Sequence, residues 1–372
     1  MRCADATVAR TTLAVMLSMA ASMSLADGIS TSVSGYGTVG GTFTNDGDFA
    51  YFHNETEFTG AANSFDVGLD SRIGVQAVVS FDSQWSVTAQ ELAKLRGSSN
   101  FDPNTEWLFA QYQPSSDLKF RLGRVVLPVF LLSDTINVGY AAPWFNAPND
   151  VYYAIPYEYL DGGQLLWQHS LGPFQLGLEG TYGETDATLG LAGTEVIAKS
   201  KNTFNVAVLF SWRDLLVRYA ETRLNSATTV LESATDTLSL TVHDRFHCAG
   251  LQYDDGKALL MSEWIKRSED KLIGFNKPFA EDTSWYVAAG WHLGKFMPLA
   301  SYSVLNITSS VLQNAARYGS WGASLRYDVV RNIDLKLQVN RAQAGDSAYW
   351  VVANPSSNER VNVYSIGADF VF

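Results

Sequence analysis

The chain has 372 residues, with 26 lysines and arginines against 38 aspartates and glutamates, and so a formal net charge of −12. This acidic balance disfavours a nucleic-acid partner, because binding to phosphate depends on a surplus of basic side chains on one face. Intrinsic disorder is disfavoured as well, since 47% of the residues are hydrophobic and only 17% are charged.

The first 26 residues have the pattern of a cleaved export signal. Arg2 and Arg10 precede an apolar run over residues 13–21, and Ser24 and Ala26 are small residues at the two positions that a signal peptidase reads. The apolar run is too short to cross a bilayer as a helix, which needs about 20 residues. Cleavage of this signal removes one of the two cysteines of the chain, so a disulfide framework is excluded.

From residue 29 onward, segments of about ten residues alternate apolar and polar side chains, which is typical of a sheet with one apolar and one polar face. The clearest example is the segment 65–81, where Ile73, Val75 and Ala77 share one face. The predicted strands, in chain order, are 29–43, 65–81, 84–97, 104–113, 117–126, 162–170, 173–184, 199–211, 214–223, 243–253, 256–268, 282–293, 295–306, 317–328, 331–342 and 361–372.

The connections between these strands alternate in length. Very short turns, such as the one at Asp82 and Ser83, are separated by longer polar connections. The predicted long connections are 44–64, 98–103, 127–160, 185–198, 224–242, 269–281, 307–316 and 343–360. About 16 antiparallel strands with short turns at one end and long loops at the other are typical of a transmembrane barrel.

The number of strands decides which face meets lipid. A barrel of about 16 strands is too wide for side chains to fill, so its interior must be wet and its apolar face must point outward. The barrel must also close, because lipid does not satisfy the hydrogen bonds of an open sheet edge. The last predicted strand ends on Phe372, which we expect to lie in the aromatic girdle of the barrel.

Three features resemble the Gram-negative bacterial porin family: the opening strand 33–41 (VSGYGTVGG), the Leu-Gly-Arg at residues 122–124 before a long loop, and the terminal Phe372. The resemblance implies an all-β fold, a transmembrane antiparallel β-barrel of about 16 strands whose long third loop folds into the lumen. The expected organisation is a signal peptide over residues 1–26 and a single barrel domain over residues 27–372, with a constriction loop at about 127–160.

In the porin family, acidic residues of the third loop face basic residues of the barrel wall across the narrowest part of the pore. Such opposed charges create a transverse field that orients polar solutes. The resemblance thus implies two sets of site residues. The candidate acidic residues are Asp134, Asp150, Glu158 and Asp161, and the candidate basic wall residues are Arg72, Lys94, Arg96, Lys119, Arg121, Arg124, Arg218, Arg326 and Lys336.

The function that we predict is passive diffusion of small hydrophilic solutes and ions through a water-filled channel of the bacterial outer membrane. Lipid and lipopolysaccharide of that membrane are the expected surroundings, and the resemblance implies a homotrimer. One alternative is a substrate-selective channel whose constriction is lined by the aromatic residues Tyr140, Trp144, Phe145, Tyr152, Tyr153, Tyr157 and Tyr159. Another is a closed adhesin or structural barrel.

Catalytic, cofactor and metal readings have weaker support. The glycine pattern at residues 35–40 matches a dinucleotide-binding spacing but is followed by a strand end and a turn instead of a helix. His243 and His247 would lie about 13 Å apart along a strand, too far to share one metal ion. Because the five histidines fall in no hydrolase motif, we expect no enzyme activity, no metal and no cofactor.

Overall fold

The computed structural model describes residues 28–54, 56–96, 101–153, 155–191, 194–232, 237–269, 280–310, 316–343, 351–353 and 360–372. The strands of this part of the chain are β1 (Ser30–Thr44), β2 (Phe49–Tyr51), β3 (Arg72–Ser80), β4 (Trp85–Lys94), β5 (Pro103–Ser115), β6 (Leu118–Val126), β7 (Tyr159–Leu171), β8 (Phe174–Leu191), β9 (Thr194–Trp212), β10 (Leu215–Glu232), β11 (Thr237–Asp254), β12 (Ala258–Glu269), β13 (Ala280–Trp291), β14 (Phe296–Ser310), β15 (Ala316–Val330), β16 (Ile333–Gln343), β17 (Val351–Ala353) and β18 (Arg360–Val371).

Within the described residues, all of these strands except β2 and β17 form one closed barrel of 16 antiparallel strands. Neighbours in sequence pair with each other around the ring, and the first and last strands close it, with Gly37 opposite Phe370. The predicted fold class, an antiparallel barrel of about 16 strands, is confirmed. The predicted signal peptide, residues 1–26, lies outside the described residues.

The predicted strand over residues 65–81 is wrong at its beginning, because β3 starts only at Arg72. The residues before it turn instead of continuing the ladder. The side chain of Asp66 accepts hydrogen bonds from the backbone N–H groups of Gly68 at 2.8 Å and Leu69 at 3.2 Å. An aspartate that bonds its own following backbone favours a turn over a strand, and this outweighs the alternating pattern.

The predicted loops 185–198 and 224–242 are also largely wrong, because β8, β9, β10 and β11 continue through most of them. These four strands have 18 or 19 residues, whereas the other barrel strands have 9 to 15. Backbone pairing runs as far as Leu191 opposite Thr194 and Glu232 opposite Thr237. Where a strand extends beyond the lipid, its outward side chains need not be apolar, so the alternation of apolar and polar residues does not reveal it.

The long connections at the seam of the barrel carry a small sheet of their own. β2 pairs with β17, so that the loop after β1 and the loop before β18 are joined by backbone hydrogen bonds. Phe49, Tyr51 and Leu69 pack there against Val361 and Val363 on β18. Both segments were predicted as loops, and three-residue strands are too short to give a periodic signal.

Large apolar side chains point outward all round the barrel. Leu122, Trp321 and Val39 are exposed over 72%, 60% and 59% of their surface, which is the expected arrangement for a lipid-facing wall. Aromatic rings pair near the short turns, with ring centroids 4.5 Å apart for Trp85 and Tyr112 and 4.8 Å apart for Phe296 and Tyr327.

The glycines of the opening strand make room for the aromatic residues of the closing strand. A Cβ atom at Gly35 would lie 2.2 Å from the ring of Phe372, and one at Gly37 would lie 2.4 Å from the ring of Phe370. Phe372 is 48% exposed and its backbone exchanges two hydrogen bonds of 2.9 Å with Gly35. The glycine-rich start and the aromatic end of the chain therefore form one seam.

Helical structure is confined to the segment between β6 and β7 in the described part of the chain. It comprises 3₁₀ turns at Ser133–Thr135 and Gly139–Ala141 and a short helix α1 (Asn149–Tyr152). Among the described residues no helix is both long enough and apolar enough to cross a membrane.

Candidate functional site

The segment between β6 and β7, residues 127–158, contacts side chains from strands all round the ring. We call it the inner segment. Its hydrogen-bond partners lie on β3, β4, β9, β10, β12, β14, β15, β16 and β18. A segment that contacts so many strands of a closed barrel lies inside the barrel. The side chains that it contacts therefore mark the lumenal face of each strand.

The first part of the inner segment is held by β9, β10 and β12. Arg218 is 5% exposed and donates hydrogen bonds to the backbone carbonyls of Pro128 and Val129, the latter at 3.0 Å. Glu263 has no exposed surface and accepts a hydrogen bond of 2.8 Å from the backbone N–H of Leu131. Its other oxygen accepts from the hydroxyl of Tyr152, also in the inner segment.

The middle of the inner segment crosses to the opposite wall at Asn137. Arg72 on β3 donates from Nε to the Asn137 carbonyl at 2.9 Å, and Lys94 on β4 donates to the Asn137 side-chain oxygen at 3.2 Å. Arg72 and Lys94 are directly opposite each other in the ladder. The two predicted wall cations thus share one loop residue between them.

The 3₁₀ turn Gly139–Ala141 is docked on β15, β16 and β18. Lys336, which has no exposed surface, donates to the Gly139 carbonyl at 2.6 Å and to Asp369 at 2.9 Å. Arg326 donates to the Tyr140 carbonyl at 2.7 Å. A Cβ atom at position 139 would lie 1.9 Å from Asp369 Oδ1, so only glycine fits there. Arg326 and Lys336 are therefore anchors of the inner segment.

Half of the lumen is filled by an apolar core. The inner segment packs one side mainly against the lumenal faces of β9 to β14, and the strands contribute small and apolar side chains to this contact. A smaller number of residues from β5 to β8, among them Phe109 and Leu160, belong to the same cluster. The members from the strands include Ala207, Ala220, Phe246, Cys248, Leu259, Met261, Ile265, Tyr286, Ala288, Met297 and Leu299, and those from the inner segment include Leu127, Val129, Phe130, Trp144, Val151, Tyr152 and Ile155.

The side of the lumen at β3 to β5 contains a cavity of about 150 Å³ between the inner segment and the barrel wall, lined by charged residues as well as by apolar ones. Lys94 forms an ion pair with Glu158, and Arg96 with Glu106. Burial disfavours the charged form of the Glu158 carboxyl, but the positive charges of Lys94 and Arg96 outweigh this effect and lower the pKa of Glu158 below its ordinary value. Acidic and basic side chains thus stand side by side along this opening.

A second pair of opposed charges lies on the same side of the lumen. Arg121 on β6 is fixed by Gln111 at 3.0 Å and Gln164 at 3.1 Å, and the exposed Asp134 of the inner segment faces it and Arg218. Partial desolvation raises the pKa of the Asp134 carboxyl, an effect that the two arginines oppose. Arg218 also pairs with Glu179 at 3.5 Å.

A buried charged cluster borders the cavity on the side of the loop after β1. His53 Nδ1 lies 3.1 Å from Glu57, and His53 Nε2 lies 3.0 Å from Asp70. Burial alone would favour the neutral imidazole, but the two carboxylates outweigh this and raise the pKa of His53 to about 10. In the same region Asn149 of the inner segment donates to the Phe52 carbonyl at 2.7 Å, so this loop and the inner segment are joined.

The remaining candidate residues are placed differently from one another. Arg124 binds Asp161 with two hydrogen bonds of 2.8 and 2.7 Å, both between barrel strands. Asp150 accepts a hydrogen bond of 2.6 Å from Ser303 on β14. Lys119 is half-buried on the lumenal face of β6, two residues from Arg121. Of the thirteen charged candidates, the cavity wall brings together Arg72, Lys94, Asp134 and Glu158.

The aromatic residues of the inner segment are largely covered by protein. Trp144, Phe145, Tyr152 and Tyr157 are each exposed over less than a tenth of their surface. Trp144 meets Tyr286 edge-on at 5.5 Å. Much of their surface is used in packing, and nothing in the comparisons supports the alternative of an aromatic-lined selective channel.

Sequence reasoning missed Glu263, Glu106 and the cluster around His53. Glu263 interrupts an otherwise apolar lumenal run with Met261 and Ile265, and a lone acid on an apolar strand face is the signal that could have found it. The His53 cluster joins residues from an irregular loop, which leaves no periodic signal in the sequence.

Comparison with protein families gives a match to the Gram-negative porin model over residues 11–369. The chain belongs to the Gram-negative porin family. No curated protein sequence matches it at a significant level. Among solved structures, the porin is similar to outer-membrane-expressed OmpT of Vibrio cholerae, with 12% identity, a TM-score of 0.61 and coverage of 95% of this chain and 100% of that one.

Two further structures share the fold. The outer-membrane channel DcaP of Acinetobacter baumannii is 12% identical with a TM-score of 0.60, covering 95% of this chain and all of that one. An anion-selective porin from Comamonas acidovorans is 12% identical with a TM-score of 0.56, and the match covers 92% of this chain and 100% of that one. The porin is thus an outer-membrane β-barrel that forms a channel for passive diffusion, as predicted from its sequence.

Proposed function

We propose that small hydrophilic solutes and ions cross this porin on one side of the barrel only, between the inner segment and the strands β3 to β8. The observation that carries the proposal is the unequal filling of the lumen. The side facing β9 to β14 is an apolar core, whereas the side facing β3 to β5 holds the cavity with its charged walls.

The charges along this path support a transverse field at the narrowest part. Within the described residues Arg72, Arg121 and Asp134 form no ion pair, and the charge of Asp134 is felt by Arg121 and Arg218 through space. Charges left unpaired in a narrow wet passage act on a passing solute, whereas the paired charges of Lys94 and Glu158 mostly cancel. Arg72, Arg121 and Asp134 are therefore the residues that we assign to selectivity.

The same proposal includes the parts of the prediction that go beyond the fold. The chain acts as a channel without catalysis, it is exported by a signal peptide over residues 1–26, and it assembles as a homotrimer in contact with outer-membrane lipid. A trimer form of OmpT of Vibrio cholerae has the same fold, which supports the oligomeric state.

Current through single channels in a planar bilayer tests the path. Thr135 is exposed and lines the cavity, whereas Ala288 is buried in the apolar half. Modification of Thr135→Cys by a bulky charged thiol reagent should reduce the conductance, and the same treatment of Ala288→Cys should leave it unchanged. A conductance that falls only in Ala288→Cys would place the path on the other side and overturn the proposal.

A further inference from the structure

The outer surface of the barrel carries a basic patch midway along β10 and β11 and toward the loop end of β12. We define it by Arg223, Arg245 and Lys266. Arg223 and Arg245 are 45% and 53% exposed, and Lys266 is exposed as well. All three alternate with lumenal residues such as Thr222, Phe246 and Ile265, so they point away from the lumen.

Two of these cations are direct neighbours across the strands. Arg223 on β10 stands opposite Arg245 on β11, and like charges in this position destabilise a sheet. One carboxylate, that of Glu221, is shared between them, 2.6 Å from Arg223 Nε and 3.8 Å from Arg245 Nε. Among the described residues neither arginine forms a second ion pair.

The patch borders directly on the lipid-facing surface. Beside the patch and toward the short turns, the surface consists of Phe204 and Val206 on β9, Tyr219 on β10 and Trp264 on β12, which are exposed over 39 to 46% of their surface. The hydroxyl of Tyr219 lies 2.9 Å from His247, and His247 is opposite Lys266. Arg223 lies eight residues beyond Leu215, where β10 leaves the short turn. At about 3.3 Å per residue on a strand tilted by about 40°, this places it about 20 Å toward the long loops, near the upper edge of an apolar band about 25 Å tall and so near the outer-leaflet headgroups.

We propose that this basic patch binds the phosphate group of an outer-leaflet glycolipid whose acyl chains lie along Phe204, Val206 and Tyr219. Guanidinium groups bind phosphate through paired, charge-assisted hydrogen bonds. The chain as a whole has a net charge of −12. The patch differs from it, because three outward cations surround a single carboxylate and give this part of the surface a positive charge. A phosphate at this place also removes the repulsion between Arg223 and Arg245.

The test uses the folded porin in neutral detergent micelles, with native mass spectrometry to count bound lipid. The probe is lipid A with two phosphates, and the comparison is the same lipid after its phosphates have been removed. We expect the wild type to retain the phosphorylated form, and the triple variant Arg223→Gln, Arg245→Gln, Lys266→Gln to bind it at least about tenfold more weakly, because charge-assisted bonds are lost.

The matched control is the double variant Arg317→Gln, Arg341→Gln. Both arginines are exposed and outward at the loop end of β15 and β16 but are not opposite each other, so lipid binding should match the wild type. Channel conductance should stay normal in all variants, which shows that they fold and separates this test from that of the conduction path.

Three results would overturn the proposal. They are equal binding of lipid A by the triple variant, equal binding of the dephosphorylated lipid, and displacement of the lipid by millimolar inorganic phosphate. The last of these would assign the patch to a soluble anion instead of a lipid headgroup.

Discussion

The backbone N–H of Leu131 donates a hydrogen bond of 2.8 Å to the carboxylate of Glu263, which has no exposed surface. The same carboxylate accepts hydrogen bonds from Tyr152, from Tyr286 at 3.0 Å and from the thiol of Cys248 at 3.5 Å. One side chain of β12 therefore joins two points of the inner segment to two strands of the barrel wall.

Replacement of this carboxylate should loosen the inner segment. Glu263→Ala leaves the N–H of Leu131 and the hydroxyls of Tyr152 and Tyr286 without an acceptor, at a cost of about 1–3 kcal/mol for each group that stays buried. We expect noisier channels with a larger mean conductance. We also expect a faster reaction of Cys248 with a thiol reagent, since that thiol is 2% exposed in the wild type and bonds the same carboxylate that holds Leu131.

The control for Glu263→Ala is Asp214→Ala, which removes an exposed carboxylate in the short turn between β9 and β10. Both variants are first checked for a folded barrel by their electrophoretic mobility without heating. Unchanged labelling of Cys248 in Glu263→Ala would show that the remaining anchors suffice to hold the segment.

The 3₁₀ turn Gly139–Ala141 can contact β16 and β18 only because residue 139 is a glycine. In Gly139→Ala the new methyl group would overlap Asp369 Oδ1, which lies 1.9 Å from the ideal Cβ position, and Thr38 Oγ1 at 2.6 Å. The turn must then move off the Lys336–Asp369 pair, so we expect altered conductance and lower stability to heat. Gly180→Ala on β8 is the matched control, because nothing lies within 4 Å of its Cβ position.

Period-2 alternation was sufficient to predict the barrel but not the filling of its lumen. Alternation locates strands wherever one face meets lipid and the other meets polar groups, and this held for β3 from Arg72 onward and for β15. In β12, Leu259, Met261 and Ile265 face inward while Leu260 and Trp264 face outward, so both faces are apolar. That double apolarity is the mark of the packed half of the lumen, and the sequence does not say which element covers it.

The roles of the predicted charged site residues also could not be read from the sequence. Arg72 and Lys94, two of the predicted wall residues, stand opposite each other in one ladder and both bond Asn137 of the inner segment. Whether a lumenal cation lines a passage or anchors a loop depends on backbone carbonyls of the inner segment, as for Lys336 and Gly139. A carbonyl group belongs to every residue type, so residue identity carries no signal for such a contact.

The His53 cluster should give the porin an alkaline transition. The pKa of His53 is raised to about 10 by Glu57 and Asp70 from an unfolded value near 6.5. The stabilisation by its positive charge is fully present below the unfolded value and is lost as the pH rises through about 10. Between pH 5 and 8 the folded cluster should stay charged, so it should not act as an acid switch.

Unfolding of the detergent-solubilised porin at pH values from 7 to 11 measures this effect. The wild type should lose stability toward pH 11, and His53→Gln should be less stable at pH 7 but lose less on going to pH 11. His169→Gln serves as the control, because that histidine pairs with Asp117 at the short-turn end and is 45% exposed. Parallel curves for wild type and His53→Gln would contradict the assignment.

Ion preference should respond differently to two arginines of β6 that lie only three residues apart. Arg121 forms no ion pair in the part of the chain that the structure describes and faces Asp134, whereas Arg124 is held by two hydrogen bonds to Asp161. Arg121→Gln should shift the reversal potential in a salt gradient toward cations, and Asp134→Asn should shift it toward anions. Arg124→Gln should have a smaller effect, because the charge that it removes is already paired at 2.7 Å. Equal shifts for Arg121→Gln and Arg124→Gln would mean that ions sense the summed charge of the lumen and not the unpaired charges at the inner segment.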